Sequence, residues 1–382
     1  MTGARRPRLL FHVQHMLGIG HRIRADRIAL ACARAGFDVT VLEGGVPDGI
    51  HPEQPGVTRI HLPPARAADA GFSAIVDADT GREIDDAWRV RRAAACLDEV
   101  SAAKPDVFLV ESYPFARRAF AFELDPAIAE ARRGGAKIAG SIRDILVARP
   151  DRLKNARIAE KARTLFDRIL VHGDPGFAQL ADSFSAAPVV ADRVIYTGIV
   201  GPEPVHGTGN PSDGEVVVSV GGGAVGGALI RAAIQARELC RLKDRPWRIL
   251  VGPNLPDFDR PTDVPPGVAI EPARPDFLSL LSSASLSVSQ AGYNTVADLA
   301  VSGCPAVLVP FAGPSGKETE QPLRARLMQA AGRAVCLSEA DLTPQALAGA
   351  IDRAAGLFRH AETPYRTGGA AASARALMEL VG

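Results

Sequence analysis

Short apolar runs alternate with longer amphipathic stretches along most of the chain. The runs at residues 9–13, 39–42, 107–110, 138–142 and 169–171 are nearly continuous in hydrophobic side chains, as strands buried on both faces are. Ala- and Arg-rich stretches at 23–35, 88–102 and 116–132 lie between several of them, and their spacing predicts helices. Strand–helix alternation of this kind builds right-handed βαβ units and a parallel sheet covered on both sides. At 198–214 the pattern gives way to Gly, Pro, Thr, Asn and Ser, which reads as a linker. A second alternating series follows at 216–220, 248–251, 268–270, 286–289 and 306–310. The expected fold is therefore α/β, with two Rossmann-like doubly wound domains at residues 1–200 and 201–382. Ligands of such sheets bind beyond the carboxyl ends of the strands, so the turns after these runs are where chemistry is sought.

Composition narrows the class. A chain of 382 residues exceeds one ordinary core and suits two domains. The net charge of +1 gives no electrostatic footprint for nucleic acid. Five cysteines, at 32, 96, 240, 304 and 336, are odd in number and widely spaced, which argues for reduced thiols over a disulfide framework or a zinc site. No stretch reaches the ~18 apolar residues of a membrane span, and the run at 9–13 is too short for a signal-peptide core. These features lead to the expectation of a cytoplasmic protein.

The first run exits into Gln14-His15-Met16-Leu17-Gly18-Ile19-Gly20-His21-Arg22. Gly18 and Gly20 permit a tight turn and close approach to a ligand. His21 then stands at a helix N-terminus, whose dipole disfavours imidazolium and leaves the neutral ring that a general base requires. Capping the helix, or packing against the other domain, is an equally good role for it. His12 and His15 point to opposite faces of a strand and do not suit a shared metal. Arg22, Arg24 and Arg27 read as helix-surface residues, with Arg22 or Arg24 able to face a phosphate. Glu111 ends a strand, where it meets an acceptor or caps a helix; with Tyr113 it suits an acceptor larger than water.

In the second half, the run at 216–220 leads into Gly221-Gly222-Gly223-Ala224-Val225-Gly226-Gly227. Backbone N–H groups in such a turn cradle a diphosphate. The glycines satisfy GxGxxG, yet the run at 248–251 ends in Gly252-Pro253-Asn254, without the acidic residue that a dinucleotide's ribose needs. NAD is thereby disfavoured, and no GKS or GKT is present for a P-loop. The richest stretch is SQAGYNTVADLAVSGCPAVLVPFAGPSGKETEQPLRAR, residues 289–326. It reads as strand, turn at Ala291-Gly292, helix with Asn294 and Asp298, strand, loop, and a helix with Glu320-Gln321. Asp298 has two readings: a carboxylate for the two hydroxyls of a ribose, or one half of a capping box with Thr295.

This stretch resembles the C-terminal domain of glycosyltransferase family 28, whose best-known member adds N-acetylglucosamine to the peptidoglycan lipid precursor. The resemblance implies a GT-B fold, two domains facing across a cleft, with a last helix near 364–380 packing back on the first. It places the ribose ligand on Asp298, the sugar-side pair on Glu320-Gln321 after Pro310-Phe311, and the Gly-rich turns on 221–223 and on 18–21. The segment 272–277 falls where the family grips the base. A closer likeness is to a group of bacterial predicted glycosyltransferases that share residues 15–21, Glu111 with Ser112-Tyr113-Pro114-Phe115, Ser141-Ile142-Arg143-Asp144 and Val171-His172-Gly173-Asp174. The chain departs from the peptidoglycan enzyme at Ala224 and Val225, where that enzyme has polar side chains, and at Glu320, where it has glutamine. The sugar therefore does not carry over.

What the resemblance implies is transfer from a nucleoside diphosphate sugar, UDP-linked, without metal or cofactor, with His21 and Glu111 as the catalytic residues. The acceptor is left open between a lipid-linked and a small molecule, the former allowing peripheral contact with the inner membrane. The loop at 67–77, with Phe72, Ile75 and Val76, reads first as a simple packed loop and second as a surface for a lipid acceptor. The turn at 18–21 also resembles that of a nucleotide-sugar hydrolase of the pseudaminic pathway, which gives hydrolysis as the alternative. A non-catalytic nucleotide-sugar-binding protein is a third.

Overall fold

The computed structural model describes residues 5–16, 20–47, 54–69, 73–204, 214–221, 225–252, 255–261, 263–313, 316, 318–359 and 365–382. The chain divides into two compact units, Met1–Val200 with Gly368–Gly382, and Gly201–Thr367.

The first unit runs β1 (Arg8–Val13), α1 (Gly20–Arg34), β2 (Asp38–Glu43), β3 (Val57–His61), β4 (Ala65–Ala67), β5 (Ile75–Asp77), α2 (Asp86–Ala103), β6 (Val107–Glu111), α3 (Ala121–Arg133), β7 (Lys137–Arg143), α4 (Arg152–Leu165), β8 (Arg168–His172) and β9 (Val194–Tyr196). Seven of these strands form one sheet in the order β3-β2-β1-β6-β7-β8-β9, parallel throughout. The order reverses between β1 and β6. One face carries a core that includes Leu10, Phe108, Val110, Ile138 and Val171, and the other carries Leu9, Phe11, Val39, Leu109 and Leu170. The runs are apolar on both faces for that reason.

The second unit contains β10 (Val216–Ser219), α5 (Gly227–Arg237), β11 (Trp247–Val251), β12 (Val268–Pro272), α6 (Phe277–Ser283), β13 (Leu286–Ser289), α7 (Tyr293–Ser302), β14 (Ala306–Leu308), α8 (Glu320–Ala330), β15 (Ala334–Cys336) and α9 (Pro344–Ala354). Its parallel sheet has the order β12-β11-β10-β13-β14-β15 and reverses between β10 and β13. The final helix, α10 (Gly369–Val381), belongs to the first unit. Its Ala374 and Leu377 lie fully buried in the core with Phe11 and Ile28.

Several elements differ from the pattern read in the sequence. The predicted helix at 116–132 begins as α3 only at Ala121, after a short 3-10 turn at Arg118–Phe120. Ser112 and Arg117 take left-handed backbone angles, φ 65 and φ 55, which interrupt any earlier start. Strands β3, β9 and β15 sit at sheet edges and are only partly buried; β3 mixes polar with apolar residues, and β9 and β15 are apolar but only three residues long.

Candidate functional site

The first sheet's reversal brings the carboxyl end of β1 beside that of β6, and a crevice at such a point is where doubly wound sheets bind ligands. Two residues ninety positions apart meet there. His21, the second residue of α1, places Nδ1 3.1 Å from Glu111 Oε1 at the end of β6. The Glu111 side chain is wholly buried and that of His21 is 14% exposed.

Glu111 is saturated with donors. Oε1 accepts from His21, from Arg24 Nη2 and from Ser112 Oγ at 3.2 Å, and Oε2 accepts from Ser141 Oγ on β7. Burial alone raises a carboxyl pKa, but the Arg24 guanidinium, His21 and Ser141 outweigh it and hold Glu111 far below its usual range. It is ionised at every ordinary pH. An ionised carboxylate only accepts. Arg24 Nη2 and Ser112 Oγ also approach His21 Nδ1, at 3.3 and 3.4 Å, but both donate to Glu111 Oε1. The shorter 3.1 Å contact to that oxygen therefore assigns the hydrogen to Nδ1 and the lone pair to Nε2. Burial first, then the charges of Arg117, Arg143 and Arg24, push His21 down to about 3, against the raising effect of Glu111. The ring is neutral, with burial as the leading cause where the sequence suggested the helix dipole.

Three expectations are corrected here. Arg22 and Arg24 are not helix-surface residues: they are 6% and 2% exposed, and Arg24 forms an ion pair with Glu111. Glu111 does not reach out to an acceptor, because both oxygens are engaged inside the fold. Tyr113 is fully buried and donates its hydroxyl to Asp125, so it grips no acceptor either. Ser141 and His172 belong to the motifs quoted above, yet their part in the network was not legible there. His12 pairs with Glu123 at 3.1 Å, and Glu123 with Arg92 Nε at 2.6 Å, in a buried cluster. Gly20 opens α1; Gly18 lies outside the described residues.

In the second unit the reversal sets the ends of β10 and β13 side by side, with Ser219 opposite Ser289. The turn after β10 starts at Gly221, whose φ of 69 suits glycine; Gly222 and Gly223 lie outside the described residues. The turn after β13 delivers Gly292 as the N-cap of α7, with no side chain closing that helix start and no acidic residue in its first turn. Gly292 has an ordinary φ of −63, and among the described residues a Cβ there would meet only Thr295 Oγ1 at 3.9 Å. The fold itself does not require glycine at that point.

Asn294 and Asp298 lie four residues apart on α7, hence on one face, and both are half-buried. The capping-box role for Asp298 falls away, since Thr295 is the third residue inside α7 and Gly292 is the cap. Glu320 opens α8 and is 2% exposed. Gln321 Oε1 accepts from Ala291 N at 3.1 Å and from Phe311 N at 3.0 Å, tying the ends of β13 and β14 together. Its amide oxygen is occupied by this clasp.

No group of three or more His, Cys, Asp or Glu side chains suited to a metal occurs among the described residues. Among them, too, no helix is long and apolar enough to cross a membrane.

Two parallel sheets, each with a reversal of strand order, make a two-unit α/β protein with the GT-B fold of glycosyltransferases. Solved structures share that fold over nearly the whole chain. A calicheamicin glycosyltransferase matches with a TM-score of 0.59 at 16% identity, covering 99% of this chain and 94% of its own. MurG of Acinetobacter baumannii matches with a TM-score of 0.57 at 14% identity, covering 98% of this chain and 99% of its own. The model of the glycosyltransferase family 28 C-terminal domain matches residues 217–379. Among curated relatives, the UDP-N-acetylglucosamine–N-acetylmuramyl-(pentapeptide) pyrophosphoryl-undecaprenol N-acetylglucosamine transferase of Prochlorococcus marinus is 30% identical over 173 residues, 44% of this chain and 45% of that enzyme. The corresponding Thermotoga neapolitana enzyme is 30% identical over 162 residues, 42% of this chain and 45% of its own. The match thus spans about half the length of these relatives.

Proposed function

We propose that this protein is a glycosyltransferase that moves a sugar from a nucleoside diphosphate sugar, UDP-linked, to an acceptor hydroxyl. The observation that carries the proposal is the His21–Glu111 pair. A neutral imidazole whose Nδ1–H is held by a buried carboxylate presents Nε2 as a proton acceptor, and Glu111 then stabilises the imidazolium as it forms. In this reading the family 28 domain holds the donor. Gly292 and the start of α7 meet the diphosphate together with the glycines of the 221–223 turn, and Asn294 and Asp298 bind the nucleoside ribose. Glu320 and Gln321 then lie near the sugar. The leaving diphosphate draws on backbone N–H groups and the α7 dipole rather than on a divalent metal. UDP follows from the relatives' donor, and their lipid-linked substrate makes a lipid-linked acceptor the first to try.

The reaction runs in one step on the acceptor side. Its hydroxyl oxygen attacks the anomeric carbon, its proton passes to His21 Nε2, and the bond to the diphosphate breaks with its electron pair. The test measures UDP release from candidate UDP-sugars in buffer, then with cell extract added. Release that stays near zero until extract is present supports a transferase, and rapid release in buffer alone makes the protein a hydrolase. His21→Ala should keep UDP binding while lowering turnover ~10²–10⁴-fold, the usual share of a general base. Turnover should also survive a strong chelator; complete loss that Mg²⁺ or Mn²⁺ restores would overturn the metal-free part.

A further inference from the structure

His172 ends β8 fully buried, and the proton transfer just described does not use it. Its Nε2 lies 2.9 Å from Ser141 Oγ, and its Nδ1 lies 3.0 Å from Thr197 Oγ1. The direction of every hydrogen in this chain follows from its far end. Glu111 is an acceptor only, so Ser141 gives its single hydrogen to Oε2. Toward His172, Ser141 can then only accept, and His172 Nε2 must carry the hydrogen. Nδ1 becomes the acceptor, and Thr197 donates to it in preference to Gly198 O at 3.1 Å. Ser373 of α10 approaches Nδ1 at 3.5 Å but donates to Gly369 O at 2.6 Å, so it packs rather than competes.

The outcome is a one-way chain, Thr197 to His172 to Ser141 to Glu111, drawn from the ends of β8, β7 and β6 and from the residue after β9. These are neighbours in the sheet order. We infer that Ser141 and His172 are positioning residues for His21: by holding Glu111 Oε2 they leave Oε1 aimed at Nδ1, which keeps His21 in the tautomer whose Nε2 accepts a proton. A residue that only filled space here would not need an imidazole, because an apolar side chain avoids the cost of burying polar atoms. The same logic governs ligands whose orientation is set by an outer hydrogen-bond partner. The inference rests on the reading of His21 as the base.

The test is made on the full chain with ¹⁵N-labelled histidine, where long-range ¹H–¹⁵N spectra report which ring nitrogen bears the hydrogen. His21→Gln and His172→Gln serve to assign the signals. Wild type should show His21 as the Nδ1–H tautomer and His172 as the Nε2–H tautomer. Ser141→Ala, and His172→Phe, should lose the single His21 tautomer and gain an Nε2–H form. Ser141→Thr keeps the hydroxyl and should restore the single tautomer. Glu111, Arg24, Arg117 and Arg143, the charged groups that act on His21, are unchanged in all of these variants. An Nε2–H His21 in wild type overturns the inference, as does an unaltered His21 in folded Ser141→Ala. Should His21→Ala leave turnover intact, the base reading fails instead, and the tautomer spectra still decide whether the chain positions the ring.

Discussion

At the residue scale the controlling feature is one buried carboxylate shared between a guanidinium and an imidazole. Removing it takes from Arg24, 2% exposed, the carboxylate that it is paired with. Glu111→Ala should therefore lower stability by about 3–5 kcal/mol, the range for breaking one side of a buried ion pair. His21→Ala removes a less buried, uncharged partner and should cost far less; urea denaturation of the two variants compares them directly. Equal losses would mean that Glu111 and Arg24 are not a stabilising pair.

The histidines add a pH dependence at the same scale. His21 and His172 are both pushed from 6.5 down to about 3, in each case chiefly by burial. In the unfolded chain they take up a proton below about 6.5, and in the folded chain they resist it. The unfolded state thus binds more protons between those values, so stability falls as pH drops through that window, by up to about 1.4 kcal/mol per pH unit for each ring. Glu111, whose pKa is also depressed, adds a loss of the same sign below about 4.5. His172→Gln should flatten the slope between pH 6.5 and 4.5. Denaturant midpoints measured across that interval check it, and an unchanged slope would mean His172 titrates normally.

At the element scale two glycines beginning helices separate folding from binding. Gly226, the N-cap of α5, has φ 135, and a Cβ there would lie 2.4 Å from Val220 Cβ. Gly226→Ala should cost about 1–3 kcal/mol or more through strain and the clash. Gly292, the N-cap of α7, has neither constraint, and Gly292→Ala should cost less than about 1 kcal/mol. If a diphosphate approaches that turn, the same methyl should weaken UDP binding roughly tenfold, about 1.4 kcal/mol. Calorimetric titration of UDP, alongside melting curves, reads both. Normal UDP affinity in Gly292→Ala would move the donor away from α7. How much of this was legible in advance differs between the turns: glycine is visible in any sequence, but which one the backbone needs depends on its φ and on what lies beside it.

At the scale of the whole molecule, the chain returns to its first unit with its last helix. Leu377 is fully buried among Leu9, Phe11 and Ile28, and each buried leucine is worth about 1.5–3 kcal/mol. A chain ending at Thr367 should lose the first unit's stability and leave that of the second, visible in calorimetry as one transition lowered and the other retained. Leu377→Ala should give a milder version, about 2–5 kcal/mol. If the truncated chain melts as the full one does, α10 contributes no core. A panel of UDP, GDP, TDP, CDP and ADP should raise one transition selectively, since a ligand bound only to the folded state stabilises it by mass action.

The alternation of apolar runs and helices was enough to determine two parallel α/β sheets, because strands buried on both faces must be apolar throughout and short edge strands need not be. It also put His21, Gly221 and Gly292 in turns after strands. Local pattern could go no further, since it records neighbours along the chain only. Sheet order, with β1 beside β6 and β7 beside β8, brought His21 to Glu111 and Glu111 to Ser141 and His172. Arg24 looked like an ordinary charged helix position until the carboxylate that neutralises it arrived from another strand. Gln321, read as a sugar-side residue, turned out to have its amide oxygen claimed by Ala291 and Phe311, two backbone groups from separate strand ends. The sequence determined the central strands and what their turns contain; only the packing of the elements decided which polar groups satisfy one another, because a buried donor or acceptor takes the partner that the sheet order sets beside it.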